Sequence, residues 1–245
     1  MLMGPQNLPQ LVRIVRNRMN SAAAAARRNV DSITLLAVSK GHPADKVRAV
    51  AELGVSAFGE SYVQEALEKI EALRDLDLAW HFIGRLQANK TRAVAAAFDW
   101  VHAVDRLKIA ERLSEQRPFH AQPLNVCLQV NVAGETSKGG VTTAELPALA
   151  SAVAALPRLN LRGLMCIPPD EQDPARQRGW FARLRGAFEA LNAGGMALDT
   201  LSMGMSGDFE SAILEGSTLV RIGTALFGAR PPRIDATNAP RALPP

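Results

Sequence analysis

Two kinds of apolar pattern alternate along the chain. Short blocks rich in β-branched and apolar residues, of which Ile33-Thr34-Leu35-Leu36-Ala37-Val38-Ser39-Lys40 is the first, read as buried strands. Between them run stretches whose apolar residues recur at helical spacing. An alanine-rich amphipathic helix is predicted over residues 8–28, with Val12, Ile14, Val15 and Met19 on its apolar side. After the strand at 33–40, a helix follows over 43–53, with Pro43 as a favourable first residue. Strands at 57–60, 80–84 and 100–105 are then followed by helices at 62–74, 88–98 and 107–116 respectively. Strands at 125–132, 161–167 and 200–205 precede helices at 143–156, 174–191 and 208–214, and an eighth strand covers 219–227.

Strands separated by helices imply parallel pairing through helical crossovers. Eight such units in 245 residues fit a single-domain (β/α)8 TIM barrel with an extra N-terminal helix. No G-x-G-x-x-G follows the first strand, so nothing argues for a dinucleotide-binding sheet. The barrel is expected to occupy residues 1–230. Beyond it, 231–245 is proline-rich, from Pro231-Pro232 to Pro244-Pro245, and is expected to be a disordered tail.

Composition narrows the setting. Two cysteines, Cys127 and Cys166, each lie inside a strand-like run and read as buried thiols in a reducing compartment. No signal-length apolar core opens the chain and no run approaches membrane-spanning length, so a soluble, cytoplasmic protein without membrane contact is expected. The formal charge is +4, but the arginines are scattered over helical segments with few aromatics between them. That suits a solvated surface better than a nucleic-acid groove.

The candidate chemistry centres on Lys40. A lysine at the carboxyl end of a buried strand aims its amine into the space above the sheet, where burial lowers its pKa. Such an amine can attack a carbonyl and form a Schiff base with an aldehyde cofactor or a keto substrate. Taken alone, a strand-end lysine is more often a snorkelling side chain, and the rest of the chain has to outweigh that reading. In a barrel of this kind the active site lies at the carboxyl ends of the strands, and that rim also collects Glu60, Ser61, His81, Arg85, Asn131, Met165, Ser206, Gly207, Arg221, Gly223 and Thr224. The other lysines fall on helical segments (Lys46, Lys69, Lys90, Lys108) or in a loop (Lys138).

Loops after the seventh and eighth strands commonly bind phosphate in such barrels. Here Ser206 is expected to cap a short helix, and Gly223-Thr224 offers backbone donors at close approach. Three other motifs fail. Gly204-Met205-Ser206-Gly207-Asp208 lacks the last glycine of a nucleophile elbow. The stretch 134–140 is glycine-rich without the order of a P-loop. Finally, His42, His81, His102 and His120 lack zinc-ligand spacing.

Several segments carry a resemblance: Leu36-Ala37-Val38-Ser39-Lys40, Phe58-Gly59-Glu60-Ser61-Tyr62-Val63-Gln64-Glu65, and the run from His81 to Lys90. To these add Gly163-Leu164-Met165, the run from Leu201 to Ser206 with Asp208, and the run from Gly216 to Gly223. In this order they resemble the pyridoxal phosphate homeostasis protein family, also called YggS/PROSC, whose members are similar to the barrel domain of alanine racemase. The likeness runs from about Leu8 to Gly228. It implies that Lys40 binds pyridoxal 5′-phosphate (PLP) as a Schiff base. It also places Ser206, Gly223 and Thr224 on the phosphate, Arg221 beside the pyridine nitrogen, and Met165 and His81 in the pocket wall. Ser61 stands where the family commonly has asparagine.

The resemblance further implies a non-enzymatic, monomeric PLP carrier in B6 homeostasis, in transient contact with PLP-dependent apoenzymes. Two alternatives are an amino-acid racemase or decarboxylase of the same fold, and a Schiff-base sugar-phosphate aldolase. The additional C-terminal β-domain through which alanine racemases supply a tyrosine is not expected after the eighth predicted strand.

Overall fold

Strand alternation closes on itself: in a computed structural model describing residues 7–135 and 139–229, eight parallel strands form a barrel in sequence order. They are β1 (Thr34–Val38), β2 (Ala57–Glu60), β3 (Ala79–Phe82), β4 (Trp100–Val104), β5 (Leu124–Gln129), β6 (Leu159–Met165), β7 (Thr200–Ser202) and β8 (Leu219–Ile222). The β1–β8 ladder, from Thr34 opposite Leu219 to Ala37 opposite Ile222, completes the closure. Helix α1 (Leu8–Ala25) precedes the barrel. The crossovers carry α2 (Ala44–Ala51), α3 (Val63–Ala72), α4 (Thr91–Ala97), α5 (Leu107–Gln116), α6 (Leu146–Ala154), α7 (Pro174–Ala193) and α8 (Phe209–Leu214), and α9 (Thr224–Phe227) follows β8. The tail expected at 231–245 lies outside the described residues. No described helix is long and apolar enough to cross a membrane.

Alternate strand residues face opposite sides. Outward-facing Phe58, Phe82, Val126, Leu164 and Val220 join helix residues such as Val47, Val50, Phe181 and Leu184 in the main core. The inward set differs in character. Leu36, Ala57 and Leu219 form one small apolar cluster, and Ala103, Cys127 and Met165 another. His81, His102, Ser202 and Arg221 are buried polar residues on the same strands. Gly163 has a steric reason: a Cβ there would stand 1.7 Å from the Thr200 carbonyl oxygen, so only glycine lets β6 and β7 approach.

Helix α1 packs Val12, Val15 and Met19 into the main core, and Arg18 pairs with Glu210 of α8 at 2.7 Å. Each fully buried apolar side chain is worth about 1.5–3 kcal/mol, against about 0–1 kcal/mol for a partly exposed ion pair. The apolar stripe therefore holds the helix, and the pair sets its register.

Several predicted boundaries move for local reasons. Pro43 is the N-cap of α2 and not its first residue, with ψ 162°. The run 219–227 does not continue as a strand: it breaks at Gly223, and the Leu226 and Phe227 N–H groups bond back to the Gly223 carbonyl at 2.9 Å. Helix α6 starts later than expected. Thr142 donates its hydroxyl to Glu145 at 2.6 Å and accepts the Glu145 N–H at 3.3 Å, closing a turn over 142–145 ahead of the helix, which begins at Leu146 with Pro147 in its first turn.

Candidate active site at the barrel mouth

Lys40 stands two residues past β1, half-buried, and its Nζ donates to Ser61 Oγ at 3.3 Å. Ser61 is the first residue beyond β2. Gly84, beyond β3, brings its loop against Ser61, because a Cβ on Gly84 would lie 2.5 Å from the Ser61 carbonyl oxygen. A cleft of about 650 Å³ opens here, lined among others by Lys40, Ser61, Tyr62, Arg85, Gln87 and Lys90. Its cations favour an anionic visitor.

On the other side of β1 lie the loops after β7 and β8. Ser206 does not cap the short helix as expected. Asp208 is the N-cap residue of α8, and its Oδ1 accepts the Met205 N–H at 2.5 Å, which tightens the turn and leaves Ser206 outside the helix. The Ser206 hydroxyl instead accepts the Ala225 N–H at 3.4 Å, so the two loops meet. Gly204, at φ 94°, makes this possible, since a Cβ would lie 2.9 Å from the Phe209 Cα. Gly223 sits against β1, where an added Cβ would be 3.5 Å from the Val38 carbonyl oxygen. Thr224 opens α9 and is exposed to solvent beside Gly223.

Arg221 occupies the interior below these loops. Its Nη1 donates to the Ser202 carbonyl at 2.6 Å and to Ser202 Oγ at 2.8 Å, and Nη2 donates to the Cys166 carbonyl at 2.8 Å. From Ser202 the bonds continue: Ser202 Oγ lies 2.8 Å from His102 Nδ1, and His102 Nε2 lies 2.9 Å from His81 Nδ1. Arginine can only donate, so the arrangement that satisfies every member runs one way. The Ser202 hydroxyl donates to His102 Nδ1, and His102 Nε2–H donates to His81 Nδ1. Both rings are neutral, because burial lowers the His81 pKa to about 3 and holds His102 well below its ordinary value. Burial also lowers Arg221, yet a guanidinium keeps its charge.

The expected site residues therefore separate. Lys40 and Ser61 touch, and Ser206 joins the Gly223-Thr224 loop. His81 lies elsewhere: its ring stacks on Trp100 at 5.3 Å and lines a second cleft at the amino ends of the strands, because the third residue of a four-residue strand points into the barrel below its mouth. Met165 ends β6 opposite Ser202 and packs on Ala103 and Cys127 inside the barrel. Asn131 turns away as well, its side chain bonding both backbone groups of Glu135. The two thiols are buried, with pKa values pushed up to about 12. Sequence reasoning missed His102 and Ser202. Their inward strand positions were the available signal, but nothing in the spacing joins residues a hundred positions apart. It places Lys69 on a helical segment, as found, without signalling that the side chain is buried.

Comparison with known proteins bears on this arrangement. The family model "Alanine racemase, N-terminal domain" matches residues 14–231. The pyridoxal phosphate homeostasis protein of Pseudomonas aeruginosa is 60% identical over 216 residues, covering 88% of this chain and 93% of that protein. Its namesake in Escherichia coli K12 is 51% identical over 219 residues, 88% of this chain and 94% of that protein. Among solved structures, PipY of Synechococcus elongatus PCC7942 with PLP bound superposes with a TM-score of 0.76 at 37% identity, covering 86% of this chain and 100% of that one. The chain belongs to the pyridoxal phosphate homeostasis protein family, built on the alanine racemase N-terminal barrel.

Proposed function

We propose that the protein holds pyridoxal 5′-phosphate as a Schiff base on Lys40 and serves PLP homeostasis and delivery without catalytic turnover. The observation that carries this reading is the order of groups around one barrel mouth. The Ser206–Ala225 junction and Gly223 lie on one side of β1, Lys40 at its end, and Arg221 inside, beneath the β6–β8 rim. The relatives' names and the PLP-bound PipY support it.

The residues present fit the group. Arg221 is buried beneath the β6–β8 rim and can only donate, which suits a ring nitrogen with a lone pair. Ser206 and the backbone at Gly223 and Thr224 supply donors for phosphate oxygens, at a point where glycine leaves room. Lys40 supplies the amine, and Ser61, its hydrogen-bond partner, orients it. When bound, the cofactor offers an aldehyde carbon to amines and a ring that withdraws electrons. In this reading His81 acts at a distance, through His102 and Ser202, and Met165 packs the interior beside Ser202. Delivery by a cytoplasmic monomer, through transient contact with PLP-dependent apoenzymes, completes the proposal.

The purified protein tests it. Reconstitution with PLP is expected to give a yellow protein with a Schiff-base absorbance band, and Lys40→Ala is expected to give none. A wild-type protein that stays colourless with PLP, yet is trapped by borohydride with a sugar phosphate, would overturn the proposal in favour of an aldolase.

A further inference from the structure

A buried charged cluster lies directly behind Lys40 and has no part in the reading above. Lys69 of α3 uses all three ammonium protons: its Nζ donates to the Ser39 carbonyl at 2.8 Å, to Glu60 Oε1 at 2.7 Å and to Glu65 Oε1 at 2.6 Å. The Ser39 hydroxyl donates to the same Glu60 Oε1 at 2.7 Å, and the Gly41 N–H donates to the same Glu65 Oε1 at 2.5 Å. The side chains of Lys69 and Glu60 are 6% and 0% exposed, so water does not screen this pair. Glu60 Oε2 is buried with no hydrogen-bond partner among the described residues, and burial raises the Glu60 pKa.

Packing alone does not require this. Burying ions costs several kcal/mol each, and apolar residues of similar volume commonly stabilise as well. Where the bonds end is the informative feature. The peptide before Lys40 is held through the Ser39 carbonyl, and the peptide after it through the Gly41 N–H. Fixing both peptide planes fixes φ and ψ of Lys40, and with them the direction of its Cα–Cβ bond. Gly41 takes φ 76°, a conformation that side-chain-bearing residues rarely adopt, so the turn needs both the glycine and the anchor.

We infer that Lys69, Glu60 and Glu65 form a clamp that positions Lys40, aiming its ε-amine at the aldehyde. Lys69 is a positioning residue with its own protons committed, and so does not compete as the covalent lysine. The inference rests on the assignment of the cofactor to Lys40, and its test separates the two.

Three variants and two ligands suffice. Glu65→Ala releases Gly41 and one Lys69 contact, Glu65→Gln keeps an oxygen acceptor for both, and Lys69→Met removes the hub. PLP, which must reach the Lys40 amine, is compared with pyridoxine 5′-phosphate, which carries the same phosphate and ring without an aldehyde. Glu65→Ala is expected to weaken PLP binding at least tenfold and to slow growth of the Schiff-base band, while pyridoxine phosphate stays within twofold. Glu65→Gln should recover most of the PLP affinity. Lys69→Met should exceed the Glu65→Ala effect where it folds, and Glu65→Ala carries the test where it does not. Parallel losses for both ligands, or unchanged PLP binding in Glu65→Ala, would overturn the clamp. Wild-type protein that binds pyridoxine phosphate but forms no Schiff base would overturn the Lys40 assignment instead.

Discussion

The buried histidine pair makes the barrel sensitive to mild acid in a calculable way. His81 in the folded protein has its pKa lowered by burial from 6.5 to about 3, and His102 is lowered for the same first reason, with His81 and Arg221 adding repulsion. In the unfolded chain both return to the ordinary value. Between those limits the unfolded state binds more protons, so stability is fully present above about pH 6.5 and falls as pH drops. One such histidine costs about 2 kcal/mol of stability by pH 5, already a large part of the ~5–15 kcal/mol a domain usually holds, and His102 acts in the same direction. Glu60 acts with the opposite sign. Its raised pKa lets the folded state take up a proton first, which offsets part of the loss. Urea denaturation at pH 7.5, 6.5, 5.5 and 5.0 is the assay, on wild type and on His81→Gln/His102→Gln, which keeps Glu60. Wild type should lose stability steeply over this range and the double variant should be nearly flat. Equal pH slopes in the two proteins would refute the buried neutral pair.

Three further outcomes are expected. Ser206→Ala should cost about 1.5–3 kcal/mol of affinity for PLP and leave unphosphorylated pyridoxal almost unchanged, and isothermal titration with both ligands would expose a merely structural effect as equal losses. Nitrogen-15 NMR of the bound cofactor should find the pyridine nitrogen unprotonated at neutral pH, since Arg221 can donate to it but not accept from it; transamination should then be negligible. Solvent deuterium exchange at Cα of L- and D-alanine, read by mass spectrometry, should show no inversion at enzymatic rates. Racemisation needs a second acid–base group opposite Lys40. His81 is neutral, bonded to His102 and turned into the barrel, and the single tyrosine, Tyr62, lines the Lys40 cleft from the N-cap position of α3, so Tyr62→Phe is the control in this assay. Inversion abolished by Lys40→Ala would make the racemase reading correct.

Much of this architecture was legible because each β/α unit carries its own period. Residues 57–60 and 107–116 were read without a boundary error, and all eight strands fall where apolar runs meet breakers. What failed has two sources, competition within a loop and contacts across the barrel. The run 219–227 is apolar enough for one strand, but it breaks at Gly223, and Leu226 and Phe227 are buried from a short helix instead. Ser206 falls outside α8 because the Asp208 carboxylate holds the Met205 N–H and the helix begins only after Asp208. Lys69 reads only as a lysine on a helical segment, since nothing local announces that Glu60, nine residues earlier on a strand, turns to meet it. The His81–His102–Ser202–Arg221 chain joins four strands and exists only once the barrel closes.

The central claim is that Lys40 carries the covalent link, and one measurement addresses it most directly. The PLP-loaded protein is reduced with borohydride, digested, and its peptides mapped by mass spectrometry. A single pyridoxyl adduct is expected on the peptide containing Lys40, with Lys46, Lys69, Lys90, Lys108 and Lys138 unmodified. An adduct on any other lysine of the wild-type protein, with Lys40 left free, would contradict it.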